Sequence, residues 1–260
     1  MATPCIYLAS DLHLGAPDAR SSRERERRLV RWLEEVAAGT GCAAGRPATA
    51  VHLVGDLFDF WFEYRHAVPK GGVRLMGTIA RLTDAGLPIH FHVGNHDLWT
   101  FGYLAEELGV VVHRVPDWFR VGDDEVLIGH GDGIGPGDHG YKRLKRVFTS
   151  PMLQSCFRWV HPDLGIGLAH RWSRKSRGKS EQAPDLSRPE GEWIWHYCKD
   201  QLAQRPSGAA CFFGHRHHPM ELAVPRPDGS TAPYINLGDW IGHFTFGRFT
   251  EGTASLFPFD

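Results

Sequence analysis

No run of about 18 apolar residues occurs anywhere in the chain, so no segment is suited to cross a bilayer as a helix. The N-terminus lacks a basic stretch followed by a long apolar core, and Asp11 comes almost at once, so no secretory signal is expected. Cysteine is scarce: Cys5, Cys42, Cys156, Cys198 and Cys211 are scattered, odd in number and form no C-x-x-C pair. That argues against a disulfide framework and fits a reduced, intracellular setting, with Cys5 and Cys211 inside apolar runs expected to be buried strands. Internal repeats and low-complexity tracts are also missing. With a net charge of −1, the whole molecule does not advertise a polyanionic partner. What is plentiful is histidine, 16 in 260 residues, often beside Gly, Asp or Asn, which points to metal chemistry.

The length suffices for one large domain, or a domain with an insertion. Short apolar runs expected to be strands occur at 5–9, 51–54, 88–93, 126–128 and 209–213. Helical periodicity marks 21–38, where Leu29, Leu33 and Val36 share a face, and 73–85, with a shorter helix at 101–108 and a further one from Pro189 to about Gln204. The C-terminal part is short and β-rich. Alternation first and strands last predict an α/β fold, an α+β sandwich of two packed sheets flanked by helices. Residues 1–135 and 185–260 are expected to form the core, and 136–184 a helical insertion or cap.

Each of these strands ends in a polar motif: Asp11-x-His13, Gly55-Asp56, Gly94-Asn95-His96-Asp97, Gly129-His130 and Gly214-His215-x-His217. Carboxylates, imidazoles and one amide oxygen, without thiolates, make a borderline-hard site suited to Mn, Fe or Zn. D-x-H and H-x-H let two side chains reach one site from an extended turn, and the glycines let the backbone bend where ligands converge. Any one fragment is weak, since a lone His after a strand is ordinarily a hydrogen-bonded rim residue; five in this order are a pattern. His52, His90 and His92 alternate with apolar residues and are expected to be packed or hydrogen-bonded. His161, His170 and His243 have no motif behind them, and Asp239 reads as a turn residue near the site.

The series D-x-H, GD, GNHD, GH, GHxH from Asp11 to His217 resembles the signature of calcineurin-like metallophosphoesterases. The resemblance implies one metal held by Asp11, His13, Asp56 and His217 and another by Asp56, Asn95, His130 and His215, with Asp56 bridging. It implies two divalent metals, Mn²⁺ foremost with Fe or Zn as alternatives, that activate water for in-line attack on phosphorus. His96 would stabilise the transition state or protonate the leaving oxygen, and Asp97 would orient and charge-support His96. Asp59 is either a supporting partner or a helix cap.

From Gly140 to Ser180 ten Lys/Arg accompany a single acidic residue, Asp163, leaving 19 basic against 29 acidic residues elsewhere. The segment is thus close to +9 and the remainder close to −10. Tyr141, Leu144, Val147, Phe148, Met152, Leu153, Cys156, Phe157, Trp159 and Val160 give it apolar faces at helical spacing. It reads either as a solvated helical subdomain or as a cap joining phosphate contacts to a greasy surface, of the kind that binds a membrane peripherally. The acidic remainder disfavours nucleic acid as a partner.

A narrower resemblance rests on His130-Gly-Asp-x5-Asp138-x2-Tyr141 followed by this insertion, and on the runs at 137–142 and 172–177. These are similar to UDP-2,3-diacylglucosamine pyrophosphatases of lipid A synthesis, in their Bacteroidetes-like form. The family implies attack at the α-phosphorus of an acylated sugar nucleotide, giving UMP and 2,3-diacylglucosamine 1-phosphate. It also implies a cytoplasmic enzyme peripheral on the inner membrane. Asp138 and Tyr141 would contact the sugar–nucleotide part, Asn95, His96 and His215 the phosphates, and Ser173, Arg174, Lys175 and Ser176 occupy the stretch supplying polar cap contacts. One position departs: proteobacterial members carry Arg where this chain has His96. The alternatives are a phosphodiesterase or phosphatase of the same fold acting on another nucleotide or phospholipid-type substrate, and a non-catalytic scaffold. A scaffold of this kind usually loses ligands, and here every ligand position is filled.

Overall fold

The computed structural model describes residues 3–136, 139–169 and 191–260. Strands β1 (Cys5–Ala9), β2 (Ala50–Leu53), β3 (Ile89–His92) and β4 (Val111–His113) run parallel. With the antiparallel β10 (Thr245–Thr250) and β11 (Thr253–Pro258), they form a six-stranded sheet of order β11-β10-β1-β2-β3-β4. The second sheet, of order β5-β6-β7-β9-β8, contains β5 (Asp117–Val121), β6 (Asp124–Gly129), β7 (Gly208–Phe213), β8 (Pro219–Pro225) and β9 (Thr231–Leu237).

Side-chain alternation explains the layering. In β1, Cys5, Tyr7 and Ala9 face helices α1 (Ala19–Ala38), α2 (Val73–Asp84) and α3 (Tyr103–Leu108), while Ile6 and Leu8 enter the space between the sheets. In β7, Ala210 and Phe212 enter that space, and Cys211 and Phe213 pack under α6 (Trp193–Gln204). With both faces covered, these strands read as unbroken apolar runs. The expected sandwich flanked by helices is the fold observed.

Helix boundaries follow their caps. The Asp18 carboxylate accepts from the amides of Arg20 and Ser21, so α1 starts two residues before the expected Ser21, a cap worth about 1 kcal/mol. Helix α6 begins at Trp193 because Glu192 accepts from the Ile194 amide; the expected start at Pro189 lies outside the described residues. Strand β5 was not expected. It is a sheet edge whose Trp118 and Phe119 are flanked by Asp117 and Arg120, too mixed to read as a core strand. Between β6 and α6 lie α4 (His139–Phe148), α5 (Pro151–Arg158) and a helical stretch at 162–169.

His52, His90, His92 and His113 line up across β2, β3 and β4. His52 Nδ1 lies 3.0 Å from His92 Nε2, and His90 Nδ1 lies 2.9 Å from His113 Nε2. His52 stacks on His90 at 4.5 Å and His92 on His113 at 4.9 Å, with Phe119 edge-on to the group. Burial holds all four imidazoles below their usual pKa, His90 at about 4. They are therefore neutral in the fold but take protons once the chain unfolds.

Two stability predictions follow from this packing. Phe212→Ala should cost about 3–5 kcal/mol in denaturant unfolding, because it empties the space between the sheets. Below the unfolded-state pKa of about 6.5, the unfolded chain binds more protons than the fold, so stability should fall as pH drops from there toward 4. Unfolding midpoints across that window check this, and His90→Gln should flatten the slope.

Candidate metal centre

Five strand-end loops meet at one end of the sandwich, tied by backbone bonds. The amide of Asp11 donates to Gly55 O (3.1 Å), that of His13 to Asp56 O (2.9 Å) and that of Gly214 to His130 O (3.0 Å). The buried Arg25 guanidinium on α1 holds the first loop through the carbonyls of Leu12, His13 and Ala16. Asp11, His13, Asp56, His215 and His217 all have left-handed backbones, with φ between 46° and 69°. Such residues cost about 1–3 kcal/mol each and persist where the surroundings over-determine them, which is characteristic of functional sites.

Two glycines make the convergence possible. Gly55 has φ of 82°, and a Cβ there would sit 2.5 Å from His130 Nδ1. A Cβ on Gly94 would sit 2.2 Å from Asp56 Oδ1 and 2.7 Å from the Asp56 amide nitrogen.

Asp56 Oδ2 lies 3.6 Å from His13 Nε2 and 3.4 Å from His130 Nε2. On the first side, His217 Nε2 is 3.3 Å from His13 Nε2 and 3.4 Å from Asp11 Oδ1. On the other, Asn95 Oδ1 is 3.2 Å from His130 Nε2 and 2.9 Å from His215 Nδ1. Ligands about 2.1 Å from a shared cation stand about 3.0–3.4 Å apart at tetrahedral to right angles, close to these spacings. Asp11 Oδ1 is buried without a hydrogen-bond partner, as an oxygen reserved for a cation would be. Three groupings place ligand atoms close enough for one ion: Asp11, His13 and His217; His13, Asp56 and His96; Asp11, Asp56 and His130. The residues present fit divalent metal binding, and the structure brings together all seven expected ligands.

The electrostatics agree. Burial alone would raise the Asp56 carboxyl, but His130, His96 and His13 hold it well below its usual pKa. Asp11 behaves likewise beside His217, His13 and His130. Burial opposes the charged form of His130, yet Asp56 and Asp11 hold its pKa well above the usual value. His130 Nδ1 is 2.9 Å from the Val54 carbonyl oxygen, so its Nδ1–H donates there and Nε2 faces the centre.

Asp97 requires a correction. Its carboxylate accepts from the amides of Gly94 (2.6 Å) and Leu57 (3.0 Å), which pins the two ligand loops together. Burial and nearby Asp56 raise its pKa to about 7. The group orienting His96 is instead the Asp59 carbonyl oxygen, 2.8 Å from Nδ1. Carboxylate and imidazole adjoin in sequence, but the sharp turn sends them to different partners. Asp59 also reaches His13, its Oδ1 lying 3.7 Å from Nδ1.

Three supporting residues carried weaker sequence signals. Asp239, read as a turn residue, accepts from the amides of Ile241, Gly242 and His243 and places Oδ2 3.4 Å from His217 Nδ1. Ser10 Oγ lies 2.6 Å from both Asp11 Oδ2 and Val54 O. Asp132, in the run His130-Gly-Asp, accepts from Tyr141 Oη (2.7 Å) and Lys145 Nζ (2.6 Å), fastening α4 to the core. Tyr141 thus sits beside the centre, its ring 6.5 Å from that of His215. Asp138, Ser173, Arg174, Lys175 and Ser176 lie outside the described residues.

Comparison with known proteins agrees with this geometry. The family model described as calcineurin-like phosphoesterase matches residues 6–219. The chain belongs to the calcineurin-like phosphoesterase family. Members of that family are metal-dependent hydrolases. A protein of Porphyromonas gingivalis named UDP-2,3-diacylglucosamine hydrolase is 34% identical over 263 residues, covering 96% of each chain. One of the same name from Aeromonas hydrophila is 28% identical over 89% of each. Among solved structures, the E. coli phosphoesterase Yfce aligns over 98% of this chain and 93% of its own, at 13% identity and a TM-score of 0.47.

Asp56→Asn should weaken Mn²⁺ binding by more than about 100-fold, exceeding the loss typical of a supporting residue, whereas Asp239→Asn should cost about 10–100-fold. Calorimetric titration of metal into each purified variant measures both; unchanged affinity in Asp56→Asn would contradict the arrangement.

Proposed function

We propose that the protein hydrolyses the diphosphate of UDP-2,3-diacylglucosamine by water attack at the α-phosphorus, releasing UMP and 2,3-diacylglucosamine 1-phosphate. The observation that carries this reading is an aromatic cluster between the metal centre and the α4–α5 cap. Trp99 lies 5.5 Å from Phe148 and 4.9 Å from Phe157, Phe62 lies 4.8 Å from Phe157, and Phe60 packs edge-on to Trp99 at 5.9 Å. The Trp99 indole N–H donates to the Phe148 carbonyl oxygen at 2.7 Å, tying cap to core. Phe60 follows Asp59, and Trp99 is three residues beyond His96, so apolar surface begins where the phosphate chemistry ends. An acyl chain is the chemistry such a surface accepts. The hydrolase names carried by the relatives support the same substrate.

Asp11, His13, Asp56 and His217 would hold one divalent metal, and Asp56, Asn95, His130 and His215 a second, with Mn²⁺ the preferred ion. The chemistry supplied by metals at such a site is neutralisation of phosphoryl charge and a lower pKa for the attacking water. Asn95, His96 and His215 line the phosphate side. His96 keeps its Nδ1–H on the Asp59 carbonyl, so in its neutral form Nε2 carries a lone pair, and burial lowers its pKa to about 4. The leaving group is a phosphate monoester whose second pKa is about 6, so it departs without needing a proton. His96 therefore acts by contact and positioning rather than as an acid. Residues 136–184 form the cap in this reading, with Asp138, Ser173, Arg174, Lys175 and Ser176 as substrate contacts.

Association with the cytoplasmic face of the inner membrane is part of the proposal. Met152 is 71% exposed, Trp159 88% and Leu164 70%, on a segment rich in Lys and Arg. No described helix is long and apolar enough to cross a membrane. His96 in place of the proteobacterial Arg keeps a second reading open, a phosphodiesterase acting on another nucleotide or phospholipid-type substrate.

With Mn²⁺, the protein should release UMP from UDP-2,3-diacylglucosamine and turn over UDP-N-acetylglucosamine, which lacks acyl chains, at least about 100-fold less efficiently. Comparable kcat/KM on the two would contradict the role given to the aromatic cluster.

A further inference from the structure

Helix α4 has two chemically different sides. Phe148 meets Trp99 on one. Lys142, Lys145, Arg146 and Thr149, at i, i+3, i+4 and i+7, line a separate cleft of about 440 Å³ on the other. That volume lies within the roughly 300–1,000 Å³ of small-molecule sites. The opposite wall carries His113, Arg114, Val115 and Pro116, and the inner end is formed by His92, Val93 and the 130–134 loop. Four cationic side chains therefore surround it, and the one acidic lining residue, Asp132, is buried and already paired with Lys145.

The cleft is joined to the reaction centre, because one of its lining residues is His130, whose Nε2 faces Asp56 and Asn95. Inside, His92 is 1% exposed, and its Nδ1 has no hydrogen-bond partner, although Nε2 reaches His52. A buried polar atom left unpaired costs about 1–3 kcal/mol, which a ligand's own donor or acceptor can recover. The side walls Val93, Val115, Pro116 and Ile134 are apolar, suited to a flat ring. Hydrocarbon lodged here would have to desolvate the surrounding cations without pairing them.

We propose that this cleft holds the nucleotide end of the substrate, with the pyrimidine between the apolar walls and near His92, and the ribose phosphate among Arg114, Lys142, Lys145 and Arg146. The inference rests on the substrate reading above and extends it. Helix α4 then sorts the molecule, its cationic side taking the nucleoside phosphate and its aromatic side the apolar remainder, with the diphosphate at the metal ligands between them.

The test is photocrosslinking of 5-iodouridine 5′-monophosphate to the Mn²⁺-loaded full-length protein, with the labelled peptides mapped by mass spectrometry. Labelling competed by UMP should fall at 92, 113–116, 142, 145, 146 or 149. Val115→Trp, at a position 70% exposed and so tolerant of substitution, should fill the cleft and weaken UMP binding by about tenfold or more. Inorganic phosphate, the control ligand, should lose less affinity than UMP. Labelling confined to Trp99, Phe148 or Phe157, or no labelling that UMP competes, would overturn the proposal. The readout needs no turnover. A protein that labels in the cleft yet releases no UMP from UDP-2,3-diacylglucosamine would refute the substrate while leaving a nucleotide cleft. One that turns over this substrate but labels elsewhere would do the reverse.

Discussion

Two buried carboxylates, Asp11 and Asp56, each within 4 Å of two of the imidazoles His13, His130 and His217, are the constraint on which the rest of the structure depends. Burying charge is expensive unless it is paired, and the pairs present here, such as Asp56 with His130, offset that cost only in part. The donor set fits a divalent cation, and Asp11 Oδ1, buried without a hydrogen-bond partner, is an oxygen suited to one. The left-handed ligand residues, the close approach of Gly94 to Asp56 and the Asp97 bonds between loops all serve to bring like charges together. The two-sheet core supplies the rigid frame that makes such strain affordable.

Outside that centre, supporting contacts are graded by reach. Arg25 and Ser10 fix the first loop, Asp239 braces His217, and Asp132 fastens α4 through Tyr141 and Lys145. This last contact ties the loop that carries His130 to helix α4. The same short run that supplies His130 to the metal centre supplies Asp132 to the cap, so displacement of α4 would be felt at both.

The reaction centre was legible in the chain because its ligands lie at the ends of buried strands, where apolar runs stop abruptly at Gly and a polar residue. Parallel strands covered on both faces announce themselves by continuous hydrophobicity, which made β1, β2, β3 and β7 readable. Strand β5 lacks that signature because it is an edge. The role of Asp97 was misread for a different reason: adjacency to His96 suggests a pair, whereas the direction of a side chain in a tight turn is set by the amides that need it. Asp239 was seen only as a turn former, and its second contact depends on β9 bringing it to His217, a long-range fact no local pattern carries. Histidine alternation in β3 suggested packing, yet the stacking with His52 and His113 became visible only with strand register.

The central claim is that Asp56 is shared between two metal ions. Crystals grown with Mn²⁺ and measured at its absorption edge test it most directly. The account predicts two anomalous peaks about 3.5–4 Å apart with the Asp56 carboxylate between them. A single peak, or two peaks of which only one is ligated by Asp56, would contradict it.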